Sequence, residues 1–274
     1  MTTDTELLHH LIEVWHGAAV DAIALLRELD ETDWSRPTDL PGWDVRAVAA
    51  HLAHLESELA GNPQQQVEVL DAPHIRGVMG QFTEAGPLAR AGWSTDEIVD
   101  ELESSVATRY AALQADPPTD AKATATGFAG LLGWGWERLL SNRPVDVWMH
   151  EQDIRRATGR PGNLGSPAAA HVGSVLGKSL PFVLGKKVGA APGTTVVIEV
   201  SGAHPRVLAA TVGDDRRGVP LDDAPEEPTA RVRLDFESWV VLAGGRRTAA
   251  DVEAELGGDE PLARRVVENL AVTP

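Results

Sequence analysis

Asp146 and His150 stand four residues apart in a stretch that reads as helix. At that spacing two side chains leave one helix face a turn apart, with Cβ atoms about 6 Å from each other. Such a pair can grip one ion from one side, and a third donor must come from another helix. His51 is the candidate, because it sits among Val48, Leu52 and Leu55 on a stripe expected to face a bundle interior. Two imidazoles and a carboxylate leave open positions for water or substrate, as a catalytic metal site requires. Spacing alone also allows the bland reading, in which each histidine is solvated or hydrogen-bonded and Asp-x-x-x-His is a chance pattern. The run His150-Glu151-Gln152 does not make a zinc-protease helix, since that motif needs histidine where Ile154 stands. His54, three residues after His51, could compete as a ligand or support one. Asp153 could orient an imidazole or pair with Arg156 or Arg160.

These residues need helices to carry them. Leu7 to Leu26 recur at helical spacing in a first helix to about residue 29, capped by Thr3 or Thr5. The turn Leu40-Pro41-Gly42-Trp43 launches a second helix at Val45, capped by Asp44 and ending near Leu59. Residues 64–92 are rich in Gly and Pro, with a short helix around 75–84. A third strong helix runs from Ser94 and Glu97 to about Gln114. Segment 120–138, with four glycines among Phe128, Leu131, Leu132, Trp134 and Trp136, reads as a buried loop. A fourth strong helix spans Ser141 to Thr158, with Pro144 in its first turn. Beyond the turn at Gly159–Gly165, Ser166-Pro167 opens a helix to about Leu184. The period then changes to two. Thr194–Ser201, Val207–Val212 and Thr229–Phe236 read as strands, and helices follow at 236–243, about 259–271 and, as a further turn, 248–256. The expected fold is therefore α+β in two domains. A four-helix bundle covers 1–160, and a small α+β domain covers 161–274.

Composition narrows the chemistry. The 274-residue chain has a net charge of −17, which repels phosphate backbones and anionic membranes, so neither nucleic acid nor membrane is an expected partner. It holds no cysteine, so disulfides, thiolate-ligated zinc and a cysteine nucleophile are excluded, and any thiol must arrive on a cofactor. The acidic start Met1-Thr2-Thr3-Asp4 lacks a secretory pattern and no run of 18 apolar residues occurs, so a cytoplasmic monomer or small homo-oligomer is expected. Trp43, Trp134, Trp136 and Trp148 could line a pocket or pack a core. Arg231 and Arg233, on one strand face, could hold an anionic substrate or be solvated.

The segments Leu40–Arg46 with Ala50-His51-Leu52, and Val145 through Asp153 to Pro161, resemble the two helical signatures of the mycothiol-dependent maleylpyruvate isomerase family, within the DinB-like bundle superfamily. Gly244–Arg247 and Gly257-Gly258-Asp259 are similar to that family's C-terminal, sterol-carrier-like α+β domain. The resemblance implies a divalent metal, commonly Zn2+, held by His51, Asp146 and His150. The family carries Glu where this chain has Asp146, so the carboxylate here sits nearer its own backbone. It further implies mycothiol as thiol cofactor and a small electrophilic substrate. A thiolate that adds and later leaves gives cis–trans isomerisation; one that stays gives an S-conjugate. Arg76, Arg231 and Arg233 are the candidates for arginines that would hold a dicarboxylate. Two other readings stay open at this point: a non-catalytic module binding a lipid or other small molecule in the C-terminal domain, and a thiol-independent metal hydrolase.

Overall fold

A computed structural model describes residues 3–273; Met1 and Thr2, read above as part of an acidic start, and Pro274 lie outside the described residues. The chain divides into two compact units, one ending at Gly162 and the other starting at Asn163.

The first unit is helical. Its elements are α1 (Asp4–Arg27), α2 (Val45–Leu59), α3 (Gly77–Ala89), α4 (Thr95–Ala115), α5 (Gly127–Leu131) and α6 (Trp136–Thr158). Local sequence sets most of the ends. Thr3 and Ser94 each form a capping box with the Glu three residues on, and Asp44 accepts the Ala47 N–H. Gly159 ends α6 in the left-handed region at φ 67°, a conformation that glycine adopts freely. The long helices form the bundle: α1 packs on α6 and α4, and α2 packs on α4, α3 and α6. Trp15, Leu52, Ile98, Leu102, Leu139 and Trp148 are among the fully buried side chains between them.

Two expectations fail here for the same reason. Helix α6 begins at Trp136 rather than Ser141, and 120–138 is not a loop throughout. The Trp136 and Glu137 N–H groups donate to the carbonyls of Ala123 and Ala121, so a segment a dozen residues earlier caps the helix. Pro144 thus lies in the helix interior, where the Leu140 carbonyl has no i+4 donor. Only part of the segment is buried: Phe128 and Ala129 are, whereas Leu131 is 91 % exposed.

The second unit is α+β. Helix α7 (Pro167–Gly177), the single turn α8 (Leu180–Phe182) and a π-turn (Val183–Lys187) replace the continuous helix expected to Leu184. Pro181 cannot donate to the Gly177 carbonyl, so the helix stops there. Five strands follow, β1 (Thr195–Ser201), β2 (Arg206–Val212), β3 (Gly218–Pro220), β4 (Ala230–Asp235) and β5 (Glu255–Gly258), with α9 (Phe236–Ala243) and α10 (Glu260–Glu268). The sheet order is β3-β2-β1-β4-β5, with β1 and β4 parallel and the other neighbours antiparallel. Strands β3 and β5 are too short for their alternation to be read. The expected helical turn over 248–256 is instead a 3-10 turn at Ala249–Asp251 running into β5. Among the described residues no helix is long and apolar enough to cross a membrane.

Candidate metal centre

The turn before α2 places the first wall of the site. The Trp43 N–H donates to the Leu40 carbonyl, the Thr38 N–H and hydroxyl both donate to the Trp43 carbonyl, and Pro37 bridges Asp44. This closed turn sets the Trp43 indole against two imidazoles, 5.0 Å from His51 and 6.0 Å from His150, centroid to centroid. The indole N–H is anchored away from them on Glu84, at 2.7 Å.

His51 comes from the second turn of α2, and Asp146 and His150 come from the middle of α6. The structure brings all three together. One ligand atom from each lies within 4.8 Å of the others. Asp146 stands between the imidazoles, its Oδ2 3.6 Å from His51 Nε2 and its Oδ1 3.7 Å from His150 Nε2. His51 is 2 % exposed and neither of its ring nitrogens has a hydrogen-bond partner. A buried imidazole with both nitrogens orphaned is unfavourable unless something fills the position. Two nitrogens and one carboxylate oxygen are the donor set that zinc and similar divalent ions take. The residues fit such an ion. Asp146, 22 % exposed, is the open flank.

The protonation states suit this. Burial pushes the His51 imidazole down, against the pull of Asp146, so the ring is neutral and offers one nitrogen lone pair. Burial alone would raise the Asp146 carboxyl, but the Arg143 guanidinium and His51 beside it hold it well below the ordinary carboxylate range. His150 Nδ1 lies 3.1 Å from Oδ2 of Asp153, which is fully buried. That carboxylate accepts from an Nδ1 N–H, which places the His150 lone pair on Nε2, facing Asp146. Asp153 also accepts from Arg156 at 2.5 Å, and Arg156 donates to Asp39 at 2.7 Å. The two roles weighed for Asp153 in the sequence are both present.

Behind the set lies a charge network that the sequence reading missed. Glu56 is fully buried and accepts from Trp15 Nε1 at 3.0 Å, Arg109 Nη1 at 2.7 Å and Arg143 Nη2 at 2.7 Å. Arg143, also fully buried, donates its Nη1 to Asp146 Oδ2 at 3.0 Å. Glu56, Arg109 and Arg143 each continue an apolar helical stripe, at Leu52 plus four, Val106 plus three and Leu139 plus four. A charge in an apolar stripe is the signal that could have found them.

Other candidates fall elsewhere. His54 is not in the set; its Nδ1 lies 2.8 Å from Gln64 Oε1, and burial together with Arg90 lowers its pKa to about 4. Trp148 is buried, and Trp134 and Trp136 pack on the Phe128 cluster. Arg76 stands at the N-terminus of α3. In the second unit Arg231 and Arg233 both pair with Glu199 on the parallel β1–β4 register, and Arg233 also pairs with Glu255.

Residues 15–155, just over half of the chain, match the family model described as the mycothiol maleylpyruvate isomerase N-terminal domain. Among solved structures the chain is similar to the mycothiol-dependent maleylpyruvate isomerase, with 17 % identity, a TM-score of 0.55 and coverage of 93 % of this chain and 96 % of that one. A histidine-to-alanine mutant of that enzyme matches at 18 % identity and a TM-score of 0.52, with the same coverages. No curated protein sequence matches. At these identities the structural likeness shows the α+β fold, and the family model shows the kinship: the chain belongs to the mycothiol maleylpyruvate isomerase N-terminal domain family of enzymes.

Proposed function

We propose that this chain is a metal-dependent enzyme that uses mycothiol to isomerise a small electrophilic substrate or to form its S-conjugate, with His51, Asp146 and His150 as the metal ligands. The observation that carries the reading is the convergence of these three side chains within 4.8 Å, with both His51 nitrogens unpartnered. A divalent ion held there, zinc being the expected one, would lower the pKa of a coordinated thiol and supply a thiolate at neutral pH. The chain's own residues prepare the position. His51 is held neutral by burial, Asp153 fixes the tautomer of His150, and Arg143 fixes the Asp146 carboxylate. Trp43 packs against both imidazoles on one side, and the flank at Asp146 is where cofactor and substrate would enter. The absence of any cysteine leaves no protein thiol to compete for the ion.

The remaining expectations belong to the same proposal. These are a DinB-like metal-binding bundle over 1–160, a sterol-carrier-like domain over 161–274, and a cytoplasmic monomer or small homo-oligomer. Maleylpyruvate, in the name of the matching enzyme, is the first electrophile to try.

The test is metal content by mass spectrometry on the purified chain and on His51→Ala and His150→Ala, followed by substrate consumption with and without mycothiol. About one ion per chain, lost in both variants, with mycothiol-dependent turnover, is the expected result. Turnover that needs metal but no thiol would replace the reading with a hydrolase. No metal, even after zinc is added, would overturn it.

A further inference from the structure

The two imidazoles of the candidate ligand set are held in different ways. The His150 ring is oriented by a hydrogen bond, its Nδ1–H donating to Asp153 at 3.1 Å. A metal-ligating histidine ordinarily has such a partner on its second nitrogen, and that partner fixes the ring plane. His51 has none. Both of its ring nitrogens are buried and unpartnered among the described residues, and Nε2 is the atom turned toward Asp146. An ion on Nε2 would still leave Nδ1 without a protein acceptor. No polar contact therefore sets the rotation of this ring about its Cβ–Cγ bond, and that torsion is soft in histidine. What remains is packing.

Two rings supply it. His150 meets His51 edge-on, with centroids 4.9 Å apart and planes at 72°. Trp43 lies 5.0 Å from His51 and 6.0 Å from His150, so one indole bears on both ligands. The indole is half-buried and stands on a turn, so it needs a tether of its own. Glu84 gives one, because its Oε2 accepts the indole N–H at 2.7 Å and joins α3 to the turn before α2. Glu84 is itself shielded, with His74 Nε2 3.4 Å from the same oxygen. Gly42 makes room for this arrangement. It has φ 83°, and a Cβ there would lie 2.7 Å from His74 Cε1, so the His74 ring closes over the turn that carries Trp43. We propose that Glu84 is a positioning residue of the metal centre: by fixing the Trp43 indole it sets the plane of His51, the ligand ring that no hydrogen bond orients. The proposal rests on the metal reading given above.

The test is zinc affinity, by competition with a chromophoric chelator, together with the visible absorption of the cobalt-loaded full-length chain. Wild type is compared with Glu84→Gln, Glu84→Leu and Trp43→Phe. Glutamine keeps an oxygen to accept the indole N–H, and leucine does not. Glu84→Leu should weaken zinc binding by about tenfold, the low end of the range for residues that orient metal ligands, and should shift the cobalt ligand-field bands. Glu84→Gln should keep the wild-type affinity and spectrum. In a Trp43→Phe background, where no N–H needs holding, Glu84→Leu should add nothing further. Thermal melts show which variants are folded. If Glu84→Leu does not fold, Trp43→Phe alone carries the same expectation, since it removes the N–H and leaves the carboxylate in place. Equal affinities and one cobalt spectrum across the folded variants, with or without a fall in Tm, would leave Glu84 a merely structural residue and overturn the proposal. A wild-type chain that takes up neither zinc nor cobalt would instead overturn the metal reading beneath it.

Discussion

Replacing Glu56 with Gln should destabilise the first unit more than any conservative surface change. Glu56 is fully buried and is the shared anion of two buried guanidiniums. Glutamine keeps the volume but removes the charge and turns one acceptor into a donor, which then faces an arginine. Breaking a buried ion pair by removing one partner costs about 3–5 kcal/mol, because the other charge stays buried without compensation. Arg143 keeps Asp146, at 3.0 Å, and Arg109 keeps its stacking on Trp15, at 4.3 Å, so the lower half of that range is the better expectation. With a urea m-value of about 2 kcal/mol/M, the midpoint falls by roughly 1.5–2 M. The pH dependence gives a second readout. Burial alone would raise the Glu56 carboxyl, but Arg143 and Arg109 outweigh it and hold it below its ordinary value. A depressed folded pKa means that the stability from ionised Glu56 is present above the unfolded carboxylate pKa of about 4.3 and is lost as pH falls through the folded value. The gap between wild type and Glu56→Gln should therefore be constant near neutrality and narrow only under acid. Urea melts followed by circular dichroism at neutral and acid pH measure both. A midpoint shift below about 0.5 M at neutral pH would show that the network carries no net stabilisation and would refute the reasoning.

Asp153→Ala frees the tautomer of His150 and should weaken zinc binding by about 10–100-fold, measured by competition with a chromophoric chelator; unchanged affinity would mean that Asp153 serves only Arg156. Gly86→Ala puts a Cβ 2.6 Å from the His54 Cβ, so α3 must shift away from α2. The expected loss is about 1–3 kcal/mol, a fall in Tm of roughly 3–10 °C. An unchanged Tm would show that this contact yields freely. Binding of mycothiol to the zinc-loaded chain at neutral pH should release about one proton, since a free thiol is mostly protonated there. The dependence of the binding heat on buffer ionisation enthalpy reads that number, and no release would exclude a bound thiolate.

What the sequence displayed was whatever is encoded within about four residues. The capping boxes at Thr3 and Ser94, the Asp44 cap, the Gly159 stop and the three long strands are all local signals, and each appears in the structure. The helix-spaced pair Asp146 and His150 was legible for the same reason. The start of α6 was not, because its first N–H groups are satisfied by carbonyls at Ala121 and Ala123, which local spacing cannot pair. Strand β5 was hidden in four residues whose partner, β4, lies some two dozen positions earlier. Of the site, the three candidate metal ligands could be read, whereas Glu56, Arg109 and Arg143 left only the signal of a charge set in an apolar stripe, and which charges pair is settled when three helices are packed together.

That hidden network bears on the chemistry as well as on the fold. Glu56 and Asp146 match Arg109 and Arg143 one for one, so this buried group is neutral with no ion present. A divalent ion at the candidate ligand set would bring two positive charges to this neutral group, and an anion at the open position, a thiolate or another small anion, would meet that need better than a neutral ligand does. Arg143 has a further effect. By pairing with Asp146 Oδ2 it leaves Oδ1 as the less encumbered oxygen, and that oxygen faces His150. The shorter acid thus gains a fixed orientation from the helix that bears it, at residue i−3. The carboxylate keeps much of its charge for an ion because Glu56 already draws on the same guanidinium.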